Sequence, residues 1–227
     1  FLYDNLMIAA NAIEAARTGG VGKVVVLGSS CIYPKLAPQP MQEDALLTGP
    51  LEETNEGYAV AKIAALEMGK MYRRQYGYDV VSMMPTNLYG PGDNYDLETS
   101  HVMPALIRKI HEAKLAGAAS VELWGTGKPM REFLHVDDLA DATIFVLKNV
   151  SREQHLNAGT GKDIAIGDLA RLIANIVGWE GEFTFNTTMP DGTPRKLLDV
   201  SALEGLGWKA STSLRDGITQ VYADQFS

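Results

Sequence analysis

The sequence holds a single cysteine, Cys31, so no disulfide can form within the chain. No apolar stretch approaches the ~20 residues a helix needs to cross a bilayer, and the first residues lack the basic-then-apolar order of a secretory signal. Membrane association therefore has no support, and the cytoplasm is the expected compartment. Histidine, cysteine and carboxylates never recur at the spacings of a metal site, so no metal is expected. Basic charge is in deficit: 20 Lys and Arg stand against 28 Asp and Glu, a net charge of -8. Nucleic-acid phosphates would be repelled by that balance, so no nucleic-acid partner is expected. Repeats and low-complexity tracts are also missing.

What is present is a regular alternation of helical and strand patterns. Hydrophobic residues make up 46% of the 227 positions, enough to bury a sizeable core as one α/β unit with a smaller lobe. Helical spacing predicts helices over 1–18, 57–77, 102–117, 136–149, 166–177 and about 213–226. Short apolar runs predict strands over 23–29, 79–84, 121–124 and 155–158, with a further one over 182–186. Such alternation implies helical crossovers and a parallel sheet. The connections 31–54 and 85–100 are long for a compact fold, and are expected to form lids over a site.

Tyr58 and Lys62 lie four residues apart in the predicted helix 57–77, so their side chains share one face. A free phenol titrates near ~10, too high for proton transfer at neutral pH, and a nearby lysine cation is expected to lower that value. Ser29 follows the apolar run Lys23-Val24-Val25-Val26-Leu27, the position at which parallel sheets present catalytic groups. A hydroxyl there can hydrogen-bond the carbonyl oxygen that Tyr58 protonates, and the set points to hydride transfer. Taken alone, Y-x-x-x-K is a weak signal that a solvated helix face explains better. Ser29 and Ser30 alone read as polar loop, and Cys31 alone as a small buried hydrophobe.

Longer motifs surround these residues: SSCIYPKLAPQPMQED from Ser29, NEGYAVAKIA from Asn55, RRQYGYDVVSMMPTNLYGPGDN from Arg73, SHVMPALIRKIHEA from Ser100, MREFLHVDD from Met130 and PDGTPRKLLDV from Pro190. Together they resemble the GDP-L-fucose synthases, GDP-4-keto-6-deoxy-D-mannose 3,5-epimerase/4-reductases of the extended short-chain dehydrogenase/reductase family. The resemblance runs along essentially the whole sequence. It implies a Rossmann-like parallel sheet followed by a smaller C-terminal α/β substrate-binding lobe. It also implies NADP(H) as cofactor and a GDP-sugar as substrate.

By that resemblance Tyr58 is the proton donor in reduction, Lys62 its partner and a ribose contact, and Ser29 the hydroxyl that orients the keto oxygen. Cys31 and His101 match an acid/base pair. The chemistry is coherent on its own terms, since a thiolate can remove a proton alpha to a ketone on one face while an imidazole returns it on the other. The bland alternatives are core packing for Cys31 and an ordinary helix-start histidine for His101. Leu27, Gly28, Ser29 and Ser30, with Pro85, Thr86, Asn87 and Leu88, resemble the two strand ends lining the nicotinamide half of the cofactor site, to which Tyr58, Lys62 and His101 also belong. Asn87, Lys109, Trp124, Arg131, Asp191 and Lys196 match positions that bind the GDP-sugar. Arg131 and Lys196 suit a diphosphate, and Trp124 a flat ring. As alternatives, Trp124 reads as strand core and Lys109 as a solvated charge.

The resemblance also implies residues 1–100 as the NADP-binding domain, with 131–158 returning to it, and 101–130 with 159–227 as the substrate lobe. The family opens with a strand, a glycine-rich phosphate cradle and further strands ahead of the point matching Phe1. Gly19-Gly20-Val21-Gly22 precedes a strand and reads as a helix C-cap and turn. The sequence is therefore expected to be an N-terminally truncated member, inactive by itself. A homodimer is expected through helices 1–18 and 57–77. Other nucleotide-sugar epimerases, dehydratases or reductases would share Ser29, Tyr58 and Lys62 without needing Cys31 and His101, and a non-catalytic binding module is a third reading.

Overall fold

The computed structural model describes residues 2–226. Phe1, where the first expected helix was to begin, lies outside them. In chain order the elements are α1 (Leu2–Thr18), β1 (Lys23–Leu27), α2 (Glu56–Tyr76), β2 (Asp79–Pro85), β3 (Asn87–Tyr89), α3 (Val102–Ala116), β4 (Ser120–Trp124) and β5 (Met130–His135). They continue with α4 (Val136–Asn149), β6 (Leu156–Ala158), β7 (Asp163–Ala165), α5 (Ile166–Val177), β8 (Glu182–Asn186), β9 (Arg195–Lys196), α6 (Ser201–Gly205) and α7 (Leu214–Phe226). The expected helices and strands are all present within a residue or two. Strands β3, β5, β7 and β9 were not anticipated.

Two compact units emerge. The first comprises Phe1–Thr86, Asp138–Gly161 and Leu197–Ala210, the second Asn87–Asp137, Lys162–Lys196 and Ser211–Ser227. These boundaries differ from those drawn from sequence. Asn87–Ser100 and Arg131–Asp137 group with the second unit because β3 and β5 pair with each other. Leu197–Ala210 groups with the first because Leu198 and Val200 pack among Ile32, Tyr33, Met41 and Met84.

The first unit is built on a parallel sheet of order β1-β2-β6. Helix α2 packs closely on β2, where a Cβ at Gly69 would meet Val80 at 2.8 Å. Ala59, Ala61, Ala65, Leu66 and Gly69 form its buried stripe. Gly77 closes α2 in the left-handed region, its N–H returning to Arg73 and Tyr72. The glycines after α1 act as expected, Gly20 having φ +75° and the Val21 N–H reaching the Ala16 carbonyl at 2.9 Å. The apolar run of β1, bounded by glycine, reads as a strand buried on both faces of a parallel sheet, and the structure differs. The valines of β1 are only half-buried and Leu27 is exposed, because β2 is the one strand partner of β1 among the described residues.

The 31–54 connection is not an open lid. It folds through short 3₁₀ turns at Ser30–Ile32, Glu43–Ala45 and Glu53–Asn55. Its residues Ile32, Tyr33, Ala37 and Met41 are core, packed with Leu66 of α2. Enough apolar surface goes under to hold this segment down without regular secondary structure.

The second unit surrounds one core with α3, α5 and α7, and with a sheet in which β5 serves two sets of partners. The end of β5 pairs with β3 in parallel, while its start pairs with β7 antiparallel and with β9 in parallel. A separate parallel pair joins β4 to β8. Helix α5 is the most sharply two-faced element, burying Leu169, Ala170, Ile173, Ala174 and Val177 at helical spacing.

Candidate active site

In the first unit the end of β1 and the start of α2 converge. Gly28 follows β1 and donates to the Met83 carbonyl at 2.8 Å. A Cβ there would fall 2.3 Å from the sulfur of fully buried Met84, so any larger residue would have to push that side chain aside. Ser29 is extended (φ -162°, ψ 150°) and caps the 3₁₀ turn Ser30–Ile32, its Oγ accepting from the Cys31 N–H at 3.2 Å. Buried Ile32 anchors that turn, and so does Tyr33, whose hydroxyl donates to Asn157 Oδ1 at 2.5 Å and lies 3.0 Å from His155 Nε2. The turn carrying Cys31 is therefore fixed on both sides.

The Ser29 hydroxyl is also hydrogen-bonded to the phenol of Tyr58. Partial burial pushes the Tyr58 phenol up, the nearby Cys31 adds to that, and the Ser29 bond opposes both. This overturns the expectation that Lys62 would pull the phenol down. The Lys62 ammonium lies over the Tyr58 ring, 5.5 Å from its centroid, and donates to the Leu27 carbonyl at 3.0 Å. Lys62 itself is lowered by desolvation. Ser29, Cys31, Tyr58 and Lys62 are thus brought together, with Leu27, Gly28 and Ser30 around them. Ser30 is buried.

Pro85 ends β2 and buried Thr86 donates its N–H to the Ala158 carbonyl at 3.0 Å. Asn87 and Leu88 begin β3 in the second unit, where the Asn87 amide donates to the Glu132 carbonyl at 2.8 Å. His101, also in the second unit, is exposed and takes the N-cap position of α3 without using its side chain.

Two groupings in the second unit involve the expected sugar-nucleotide residues. Lys109 on α3 places its ammonium 5.4 Å from the ring centroid of Trp124, which is 61% exposed at the end of β4. That exposure removes the strand-core reading of Trp124. In the other grouping, Arg131 and Lys196 are register partners on parallel β5 and β9, so their side chains leave the same face of the sheet. Burial works against the Arg131 charge, and Asp191 partly restores it. The Asp191 carboxylate also accepts from the Thr126 N–H at 2.6 Å and the Thr126 hydroxyl at 2.7 Å, which holds its pKa low. Gly125, at φ +73°, makes room for it, since a Cβ would lie 2.2 Å from Asp191 Oδ1. Asp191 is therefore a tie between two loops.

Sequence reasoning missed Asn55 and Thr126. Asn55 donates from Nδ2 to Cys31 Sγ at 3.3 Å. An asparagine ahead of a helix reads as an ordinary cap, so its position carried no distinguishing signal.

Residues 1–167 match the NAD dependent epimerase/dehydratase family. The chain belongs to that family. A GDP-L-fucose synthase 1 of Arabidopsis thaliana is 56% identical over 222 residues, a match covering 98% of this chain and 69% of that protein. Among solved structures, a GDP-6-OMe-4-keto-L-xylo-heptose reductase from C. jejuni superposes with a TM-score of 0.93 at 38% identity, covering 98% of this chain and 75% of that one. A GDP-L-fucose synthetase from Naegleria fowleri bound to NADP gives 0.90 at 27% identity, with 98% and 74% covered. The chain thus groups with the GDP-L-fucose synthases within the family, as its motifs imply.

Proposed function

We propose that this chain performs the NADPH-dependent conversion of GDP-4-keto-6-deoxy-D-mannose to GDP-L-fucose, epimerising carbons 3 and 5 and reducing the 4-keto group. The observation that carries this reading is the Ser29 hydroxyl, which bonds both the Cys31 backbone and the Tyr58 phenol and so sets a carbon base beside a carbonyl acid. The 56% identity to a GDP-L-fucose synthase supports the substrate.

The donors at the strand ends suit a nicotinamide and its ribose. Lys62 spends one N–H on Leu27 and retains others for ribose hydroxyls, as expected of an ammonium with three. Bound NADPH supplies the hydride to carbon 4. The chain's own residues do the rest. Cys31 as thiolate removes the proton from a carbon next to the ketone, and the Ser29 and Tyr58 hydroxyls stabilise the resulting enolate oxygen. His101 delivers a proton to the same carbon from the opposite side, inverting it, and the 4-keto group acidifies carbons 3 and 5 alike. In reduction Tyr58 gives its proton to the oxygen at carbon 4. A raised phenol serves that role by staying protonated. Arg131 and Lys196 hold the diphosphate, Trp124 and Lys109 the nucleotide or sugar ring, and Asn87 a sugar hydroxyl.

A second reading, a nucleotide-sugar reductase without epimerisation, is favoured by the likeness to the C. jejuni reductase. Solvent-deuterium exchange decides between them. Cys31→Ser and His101→Gln should abolish deuterium uptake next to the keto group, whereas Tyr58→Phe should block NADPH oxidation. Absence of deuterium uptake in the parent, with NADPH oxidation intact, would favour the reductase. Binding of NADPH and GDP without turnover would point to a binding module.

The same reading places the protein in the cytoplasm as a homodimer. No helix among the described residues is long and apolar enough to cross a membrane. On α2, Val60 and Met71 are 41% and 42% exposed, and they share a face with Ala64 and Glu67. On α1, Tyr3 and Ile8 stand 71% and 70% exposed. A helical interface between copies would cover these faces.

A further inference from the structure

We infer that Asn55 is a positioning residue for Cys31, its side-chain amide donating to the sulfur that acts as the carbon base and fixing its direction. The inference rests on the reading of Cys31 as the carbon base.

Asn55 occupies the N-cap of the 21-residue helix α2. Asparagine is among the best residues there because its side-chain oxygen ordinarily accepts a backbone N–H of the first turn. In this protein it makes no such bond. The side chain turns away from its own helix, and Nδ2 donates to Cys31 Sγ at 3.3 Å. The Oδ1 end is buried with no hydrogen-bond partner among the described residues. Giving up a cap and burying an unpaired acceptor both cost stability, so the contact with the sulfur is not the arrangement helix energetics alone would select.

Its effect on the sulfur follows from charge. An N–H donor aimed at sulfur favours thiolate over thiol, and the start of a long helix adds the partial positive charge of its free N–H groups. The titratable group coupled to that sulfur is the Tyr58 phenol, three residues along the same helix. Cys31 helps raise the Tyr58 phenol, so a residue that fixes the sulfur beside it also helps Tyr58 keep the proton that reduction needs. The direction of the sulfur is set from two sides, by Ser29 through the backbone N–H of Cys31 and by Asn55 at Sγ.

Because Cys31 is the sole cysteine, iodoacetamide reports on it alone. The ratio of the alkylation rate at pH 7 to that at pH 9.5 cancels changes in access. Asn55→Ser and Asn55→Asp are the variants of choice, since both residues cap helices well. The ratio should fall about tenfold in Asn55→Ser, as loss of a hydrogen bond to a charged group predicts, and further in Asn55→Asp, which replaces a donor by an anion. Solvent-deuterium exchange should show kcat falling with KM little changed. A ratio within twofold of the parent in both variants would overturn the inference and leave Asn55 as a cap. If instead Cys31→Ser exchanges deuterium like the parent, the reading of Cys31 as the base fails, whatever the alkylation shows.

Discussion

The ammonium of Lys62 sits over the ring of Tyr58, 5.5 Å from its centroid, while donating to the carbonyl of Leu27 at 3.0 Å. Position over the ring and commitment to a carbonyl mean that burial and Cys31 govern the phenol, and its proton is held more tightly than in water. Reduction should therefore proceed at full rate through neutral pH, and decline only when alkali exceeds the ordinary phenol range of about 10. Tyr58→Phe should lose at least about a hundredfold in NADPH oxidation, the usual worth of a positioned acid. A rate that declined from pH 7 upward in the parent would contradict the assignment.

Arg131 and Lys196 leave neighbouring strands on one face, a pair of cations suited to a diphosphate. Arg131→Gln should weaken GDP binding by about tenfold or more in titration calorimetry, the scale of one charge-assisted bond. Arg131→Lys should recover only part of it, because a point charge cannot form the two-pronged contact. Full recovery would show that charge alone is required.

His155, almost wholly buried beside Tyr33, is pushed down to about 4 by desolvation, with the Lys70 and Arg152 charges adding to it. The sign follows from proton uptake. An unfolded histidine takes a proton near pH ~6.5, whereas the folded one resists until about 4, so between those values acid favours unfolding. The stabilisation from keeping His155 neutral, about 3 kcal/mol, is present above the unfolded value and disappears as pH falls through that window. Urea unfolding at pH 7 and at pH 4.5 should show the loss, and His155→Gln should flatten it. An equally steep acid limb in that variant would assign the effect to carboxylates.

The exposed apolar face of α2 gives a test of assembly. Val60→Glu combined with Met71→Glu should turn a dimer into a monomer in sedimentation without lowering the melting temperature by more than a degree or two, since neither side chain is core. A parent that is monomeric at micromolar concentration would remove the homodimer from the proposal.

Sequence alone determined the larger elements, because helix and strand periodicity is local. The buried stripe of α5 and the glycine that ends α2 are written in a few adjacent residues. The motifs around Ser29, Tyr58 and Arg131 were legible for the same reason, as were the family and its chemistry. Tertiary structure decided what depends on partners distant in the chain. Strand β5 carries Arg131 and Glu132 in a run too polar to read as strand, and pairing with β3, β7 and β9 makes it one. Asp191 stands far from Thr126 in the chain, and only the fold brings its carboxylate onto the Thr126 N–H and hydroxyl. Asn55 carries no distinguishing signal in the sequence, and only the fold shows its amide turned toward a sulfur 24 residues earlier. In each case the deciding energy is a hydrogen bond or a desolvation across the core, which residue spacing along the chain does not encode.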